Sequence, residues 1–176
     1  MYYQNSKWGF NLPNPGDPAL SSLTSQTISS AQSCLEALKK AKRPVLIFGW
    51  GIHLAKAEYE AKIFNTESGL PFVTTWGARD LSIEALRANI GGFGTHGTRA
   101  ANFAVQNADW ILAVGSRLDS KATGTPVESF ARGAKIWMVD IDSNEIAKFN
   151  GRVEGICKDA REFFREARNL CAMQYL

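Results

Sequence analysis

PVLIFGWG, Pro44 to Gly51, is the stretch on which the fold turns. It joins a continuous apolar run, Pro44 to Phe48, to the glycine-flanked turn Gly49-Trp50-Gly51. A short run with no polar alternation suits a strand of a parallel sheet, buried on both faces. Upstream of it, Ile28, Ala31, Leu35, Leu38 and Ala41 fall at the three-and-four spacing of an amphipathic helix. Downstream, Leu54, Ala57, Ala61 and Phe64 repeat that spacing and predict a second helix, stopped near Gly69. PFVTT, Pro71 to Thr75, then reads as a second strand.

The pattern continues to the end of the chain. A glycine-rich stretch, Ile90 to Gly97, leads into a predicted helix over Thr98 to Gln106. WILAVG (Trp110 to Gly115) and KIWMVD (Lys135 to Asp140) are the third and fourth apolar runs, and Arg152 to Cys157 offers a last short strand. Ser143 is expected to cap a short helix running to Phe149. Asp159 with Glu162 three residues on resembles a capping box opening the closing helix, whose stripe is Phe163, Ala167 and Leu170. Strands alternating with helices imply right-handed crossovers, hence an α/β, doubly wound, mostly parallel sheet in three layers. Residues 1–24, broken by Pro13, Pro15, Gly16 and Pro18, read as an irregular linker in which Trp8 and Phe10 remain able to dock. Residues 25–176 form the domain.

Composition is that of a globular protein, 45% hydrophobic and 21% charged, with a net charge of +3. Its Lys and Arg residues are scattered, so no basic stripe for nucleic acid is formed. No segment reaches the roughly 20 apolar residues of a membrane span. No secretory leader pattern opens the chain, and cytoplasmic is the default. Cys34, Cys157 and Cys171 lie far apart, without zinc spacing, and are expected as buried free thiols of a reducing compartment.

Ligands of open parallel sheets sit beyond the carboxyl ends of the strands. Gly49 and Gly51 there are read either as a phosphate-approaching turn with outward N–H groups or as a tight turn into the helix. Ordinary nicotinamide binding is disfavoured. Ala55 stands where a third glycine belongs, and Thr74-Thr75-Trp76 stand where a ribose-binding acid belongs. In Gly115-Ser116-Arg117-Leu118-Asp119, the guanidinium is either a diphosphate ligand or held in a local Arg117–Asp119 or surface ion pair. Asp140 and Asp142, flanking Ile141, offer a carboxylate for ribose hydroxyls, whereas Asp142 or Ser143 merely caps the next helix in the plainer reading. His96 is either a site residue or an ordinary polar loop residue. No nucleophile elbow, P-loop or HExxH motif occurs, and no catalytic residue or metal ligand is assigned.

Several of these segments carry a family likeness. GGFGTHGTRAANFAVQNADWILAVGSRLDSKATG (Gly91 to Gly124) resembles the central domain of thiamine diphosphate-dependent enzymes, closest to the acetolactate (acetohydroxyacid) synthase large subunit. There a glycine–methionine–histidine–glycine turn leads to A-N-x-A-V-x-x-A-D and then G-x-R-x-D-D-R-x-T-G. LIFGWG, LPFVTTWGA and KIWMVDIDSNEI extend the resemblance from Arg43 to about Ala167. It implies a six-stranded Rossmann-like sheet of a kind that holds FAD in some members, and ADP or nothing in others. Carried over by position, the dinucleotide would lie over Gly49, Trp50 and Gly51, with Thr74, Thr75 and Trp76 along one side. Gly94, Thr95, His96 and Gly97 would line the flavin half, and Gly115, Ser116, Arg117 and Asp119 the phosphate and ribitol region. Asp140, Ile141, Asp159 and Ala160 would approach the adenosine end.

Four positions depart from the family pattern: Trp50 is bulky in the glycine turn, Ser120 and Lys121 replace an aspartate and an arginine, and Lys158 replaces a glycine. Thiamine diphosphate and Mg2+ are implied only with N- and C-terminal thiamine-binding domains, and neither fits within this chain. Gly16-Asp17-Pro18 is not the family's metal motif. The resemblance thus implies a non-catalytic central domain of an enzyme acting on 2-oxo acids such as pyruvate, in branched-chain amino acid biosynthesis, with homodimeric or homotetrameric relatives. The alternative is a stand-alone nucleotide-binding or structural module.

Overall fold

The computed structural model describes residues 31–82, 88–149 and 151–173. The linker read over residues 1–24, and the start of the helix expected from Ile28, lie outside these. Helix α1 covers residues 31–38, with Ala31, Cys34 and Leu35 buried. It precedes β1 (Pro44–Phe48), α2 (Gly51–Leu54), α3 (Glu58–Ser68) and β2 (Phe72–Thr74). A 3-10 segment (Trp76–Ser82), β3 (Asn89–Gly92), α4 (Arg99–Gln106) and β4 (Trp110–Val114) follow. The chain ends through α5 (Ser120–Thr123), a 3-10 turn (Val127–Ser129), β5 (Lys135–Asp140), α6 (Ser143–Ala147), β6 (Val153–Cys157) and α7 (Ala160–Met173).

All six strands are parallel, in the order β3-β2-β1-β4-β5-β6. Strand alternation divides the interior into two cores, one on each face. Leu46 and Phe48 of β1, Trp110, Leu112 and Val114 of β4, and Trp137 and Val139 of β5 pack with α1, α3 and α7. Val45, Ile47, Ile111, Ala113, Ile136 and Met138 pack on the opposite face, against α4. This explains why the apolar runs are continuous rather than alternating: neither face meets water. Each fully buried Leu, Ile or Phe contributes about 1.5–3 kcal/mol of burial free energy.

At the amino end of the sheet, Asp109 ties two strand entries together. Its carboxylate oxygens each accept a backbone amide at 2.9 Å, from Lys42 and from Arg43. Partial burial pushes this carboxyl up, but those amides, with the Arg43 charge, bring it below its ordinary value.

Three sequence expectations change. The single helix expected through Leu54, Ala57, Ala61 and Phe64 is broken, because Lys56 adopts a left-handed φ of 51° between α2 and α3. The break resets the helical register, so Ile52 is the buried residue of α2 while Leu54 is 74% exposed. The end at Gly69 stands, with Gly69 at φ 64° as a left-handed cap. Secondly, the start of the glycine-rich stretch is itself an edge strand, β3. Its glycines leave room where the Arg79 side chain crosses, since a Cβ on Gly92 would lie 2.8 Å from Arg79 Nε. Thirdly, all three cysteines are free, but only Cys34 is buried, and Cys157 and Cys171 are half-buried.

Candidate functional site

The strand order reverses between β1 and β4, and a crevice opens there beyond the carboxyl ends. It is a cleft of about 800 Å³. The segments after β1, β2, β3, β4, β5 and β6 all contribute to its walls.

One end is aromatic. Trp50 follows β1, Trp76 follows β2, and Phe93 and His96 follow β3. Trp50 and Trp76 are 53% and 68% exposed, although both line the cleft. The Trp76 ring meets the His96 ring edge-on at 5.4 Å, and the Trp50 ring lies 4.7 Å from that of His53. Exposed rings of this kind offer flat apolar faces beside polar edges.

The middle, beyond β4, is cationic, with Arg117 and Lys121 on the loop and helix that follow it. Arg117 is not paired with Asp119. Its Nη2 donates to Glu145 Oε1 of α6 at 2.8 Å, and Lys148 engages the other carboxylate oxygen. Hydrogen bonds from Arg117 and Lys148 bring the Glu145 carboxyl down to about 2. Asp119 instead caps α5, accepting from Lys121 N at 2.9 Å and Ala122 N at 3.1 Å. Lys158 is held by Glu166 of α7.

The far end, beyond β5 and β6, is mainly acidic, with Asp140, Asp142, Glu145 and Asp159 on the walls beside Lys158. Burial pushes the Asp140 carboxyl up, and the charges of Glu145 and Asp142 add to that despite the amide of Asp142 donating to it at 3.0 Å. Asp142, not Ser143, caps α6 through Asn144 N. Asp159 caps α7, accepting from Arg161 N at 2.9 Å.

Of the residues expected at the site, Trp50, Gly51, Thr75, Trp76, Thr95 and His96 line the cleft, as do Gly115, Ser116, Arg117 and Asp119. Asp140, Ile141, Asp159 and Ala160 also lie on its walls. Gly49, Thr74, Gly94 and Gly97 do not. Gly49 and Gly51 serve a close backbone approach: Gly51 N donates to Gly115 O at 2.8 Å, and a Cβ on Gly49 would sit 2.2 Å from that same oxygen. The Gly51 amide therefore points into the β4 loop rather than out toward a phosphate, and the tight-turn reading describes both glycines. A Cβ on Gly94 would meet Lys121 O at 2.8 Å, and one on Gly97 the Phe93 backbone at 2.5 Å. Thr74 is fully buried, its hydroxyl without a protein partner.

Glu145, Leu54, Phe93 and Lys158 line the cleft without having been expected there as site residues, and Asp142, a carboxylate considered for ribose, lines it too. Glu145 had a signal, because it lies one helical turn into the segment that follows the acid-ended strand β5. Leu54 had none, since only the break at Lys56 turns it outward.

A parallel sheet in this order with a crevice at its switch point defines a Rossmann-like α/β domain. The chain belongs to the family described as thiamine pyrophosphate enzyme, central domain, which it matches over residues 31–167. It is 36% identical to the acetolactate synthase large subunit of Corynebacterium glutamicum over 90% of this chain and 25% of the relative. It is also 35% identical to an acetolactate synthase of Mycobacterium bovis, over 80% of this chain and 22% of the relative. Identity is 42% to a probable chloroplastic acetolactate synthase 2 of Oryza sativa subsp. japonica, over 69% and 18%. The chain thus spans about a quarter or less of the length of these curated relatives. Among the described residues, no helix is long and apolar enough to cross a membrane.

Proposed function

We propose that this chain is the cofactor-cradling central domain of a thiamine diphosphate-dependent carboligase acting on 2-oxo acids, with acetolactate formation from pyruvate as its leading reaction, and that its cleft takes FAD. The observation that carries the cleft reading is the chemistry met in strand order along one crevice: aromatic after β3, β2 and β1, cationic after β4, then mainly acidic after β5 and β6. That order suits a flat conjugated ring, a diphosphate and an adenosine ribose in turn.

The donor set fits such a group. Trp50, Trp76 and His96 offer ring faces and edges and exclude water from the aromatic end. Arg117 presents a planar fork to a diphosphate and would exchange its Glu145 partner for phosphate oxygens. Asp140 and Asp159 offer acceptors for ribose hydroxyls. The phosphates would be met by side chains rather than by the glycine turn, whose Gly51 amide is already bonded. Bound FAD would supply a structural filling for the cleft. The carbon–carbon chemistry would come from thiamine diphosphate held with Mg2+ by flanking domains, the source of that reactivity being the cofactor.

Calorimetric titration of FAD and of ADP into the chain and into its Arg117→Ala variant tests the cleft. Binding of FAD that weakens about 10- to 100-fold in the variant is expected, the scale of a lost charge-assisted hydrogen-bond pair. Tight binding indifferent to Arg117 would remove the residue assignment, and no binding of either ligand would leave a purely structural domain. ADP binding without FAD would favour the smaller nucleotide. Acetolactate production from pyruvate by the longer protein tests the overall reaction.

A further inference from the structure

His53 lies behind the aromatic end of the cleft with both ring nitrogens engaged by carboxylates. Nδ1 is 2.9 Å from Glu58 Oε1 at the start of α3, and Nε2 is 3.1 Å from Asp80 Oδ1 in the segment Trp76–Ser82. A neutral imidazole has one N–H, so it can donate to only one of two ionised carboxylates, while the other nitrogen would oppose a lone pair. The imidazolium donates to both. This arrangement therefore calls for the charged form of His53.

The consequence for the cleft follows from what each partner carries. His53 sits in α2, three residues after Trp50, and its ring packs on the Trp50 ring at 4.7 Å. Asp80 sits in the same short segment as Trp76. On the other flank of that segment, Arg79 Nη2 donates to the His96 carbonyl at 2.6 Å, and Trp76 meets the His96 ring. The Trp76-bearing segment is thus fastened on two sides, by Arg79 to the β3–α4 loop and by Asp80 to α2.

Resting on the reading of the cleft as a cofactor site, we infer that His53 is a positioning residue: its imidazolium clips the segment carrying Trp76 to the helix that follows Trp50, and so fixes the width of the cleft's aromatic end. His53 acts on the flavin side through Trp50 and Trp76 without touching a ligand. The clip is pH-dependent. Burial pushes the imidazolium down, but the hydrogen bonds to Glu58 and Asp80 and their charges push it up by more, so its titration lies above the ordinary histidine range. Lys62 of α3 borders the same small cavity as His53, and Arg161 of α7 acts on Glu58. A group raised on folding gives its full contribution below its unfolded value and loses it as pH rises through the folded one. The clip is therefore closed below the ordinary histidine value and opens as pH rises through the raised one.

The test combines the wild-type chain with His53→Gln and Asp80→Asn. Hydrogen exchange over residues 76–82, read by mass spectrometry at one fixed pH, is expected to quicken in His53→Gln. FAD affinity of the wild type is expected to fall about threefold or more between about pH 6 and pH 9, and to be flat in His53→Gln. In Asp80→Asn an amide oxygen still accepts from Nε2 but without charge. There the His53 resonance, distinguished from the other histidine by its loss in His53→Gln, should titrate at lower pH, and the affinity profile should move with it. Unchanged exchange over 76–82 in His53→Gln overturns the clip. Quickened exchange with an unaltered affinity profile overturns its link to the cleft. A chain that binds neither FAD nor ADP removes the cofactor reading, and with it the link to ligand, while exchange still decides the clip.

Discussion

Arg117 reaches across from the β4 loop to α6, where its Nη2 lies 2.8 Å from Glu145 Oε1. The exposed cation of the cleft is thereby held by a carboxylate that a phosphate would have to displace. Replacing Glu145 by Gln should release the guanidinium and strengthen nucleotide binding by up to about fivefold, the worth of a largely exposed pair. Calorimetry on the variant reads this, and weaker binding would assign Glu145 to the ligand instead. The pair's contribution to folding is present above the ordinary glutamate range and is lost as pH falls toward the folded value of about 2. Wild type and variant should therefore differ in stability at neutral pH and converge in strong acid.

The contact of Gly49 and Gly51 with Gly115 predicts a stability effect. Gly49→Ala places a methyl 2.2 Å from a backbone oxygen that has no freedom to retreat, because the same oxygen accepts from Gly51 N. A loss of at least about 2 kcal/mol in urea unfolding is expected. A variant as stable as wild type would show that the two loops separate easily.

Stability and binding should separate at two other positions. Leu112 is fully buried in the central strand β4, so Leu112→Ala should cost about 2–5 kcal/mol. Trp76 is 68% exposed, so Trp76→Ala should change unfolding by no more than about 0.5 kcal/mol while weakening FAD. Chemical denaturation and flavin titration on the two variants check the contrast.

Asp109 gives an acid-sensitive prediction. Its carboxyl is lowered on folding by the Lys42 and Arg43 amides, so its contribution is present above the ordinary aspartate range and is lost as pH falls through its depressed value. Asp109→Ala should cost about 1–2 kcal/mol at neutral pH, the scale of lost hydrogen bonds to a charged group, and less in strong acid. Denaturation midpoints across that range would show the two curves approaching.

Much of the sheet was legible because burial on both faces leaves an unmistakable run, as in PVLIF and WILAV. The edge strand β3 was not, since its NIGG sequence carries glycines that make way for Arg79 and supplies little apolar signal. The break after α2 was hidden too, because Lys56 gives no hint of its left-handed backbone. At the candidate site, strand-end loops could be named from the parallel-sheet rule, and most of the named residues do line one cleft. What a sequence could not show was pairing across loops. A surface ion pair was one reading of Arg117, but its partner, Glu145 on the next crossover, could not be named; His53, silent in its helix, meets Asp80 twenty-seven residues on.

The most direct test of the account is the visible absorbance spectrum of the chain after incubation with FAD and exhaustive dialysis. A retained flavin band is expected in the wild type, diminished in Arg117→Ala and in Trp76→Ala. A colourless wild-type protein would contradict it, and would leave this member of the thiamine pyrophosphate enzyme family with a cleft that holds no flavin.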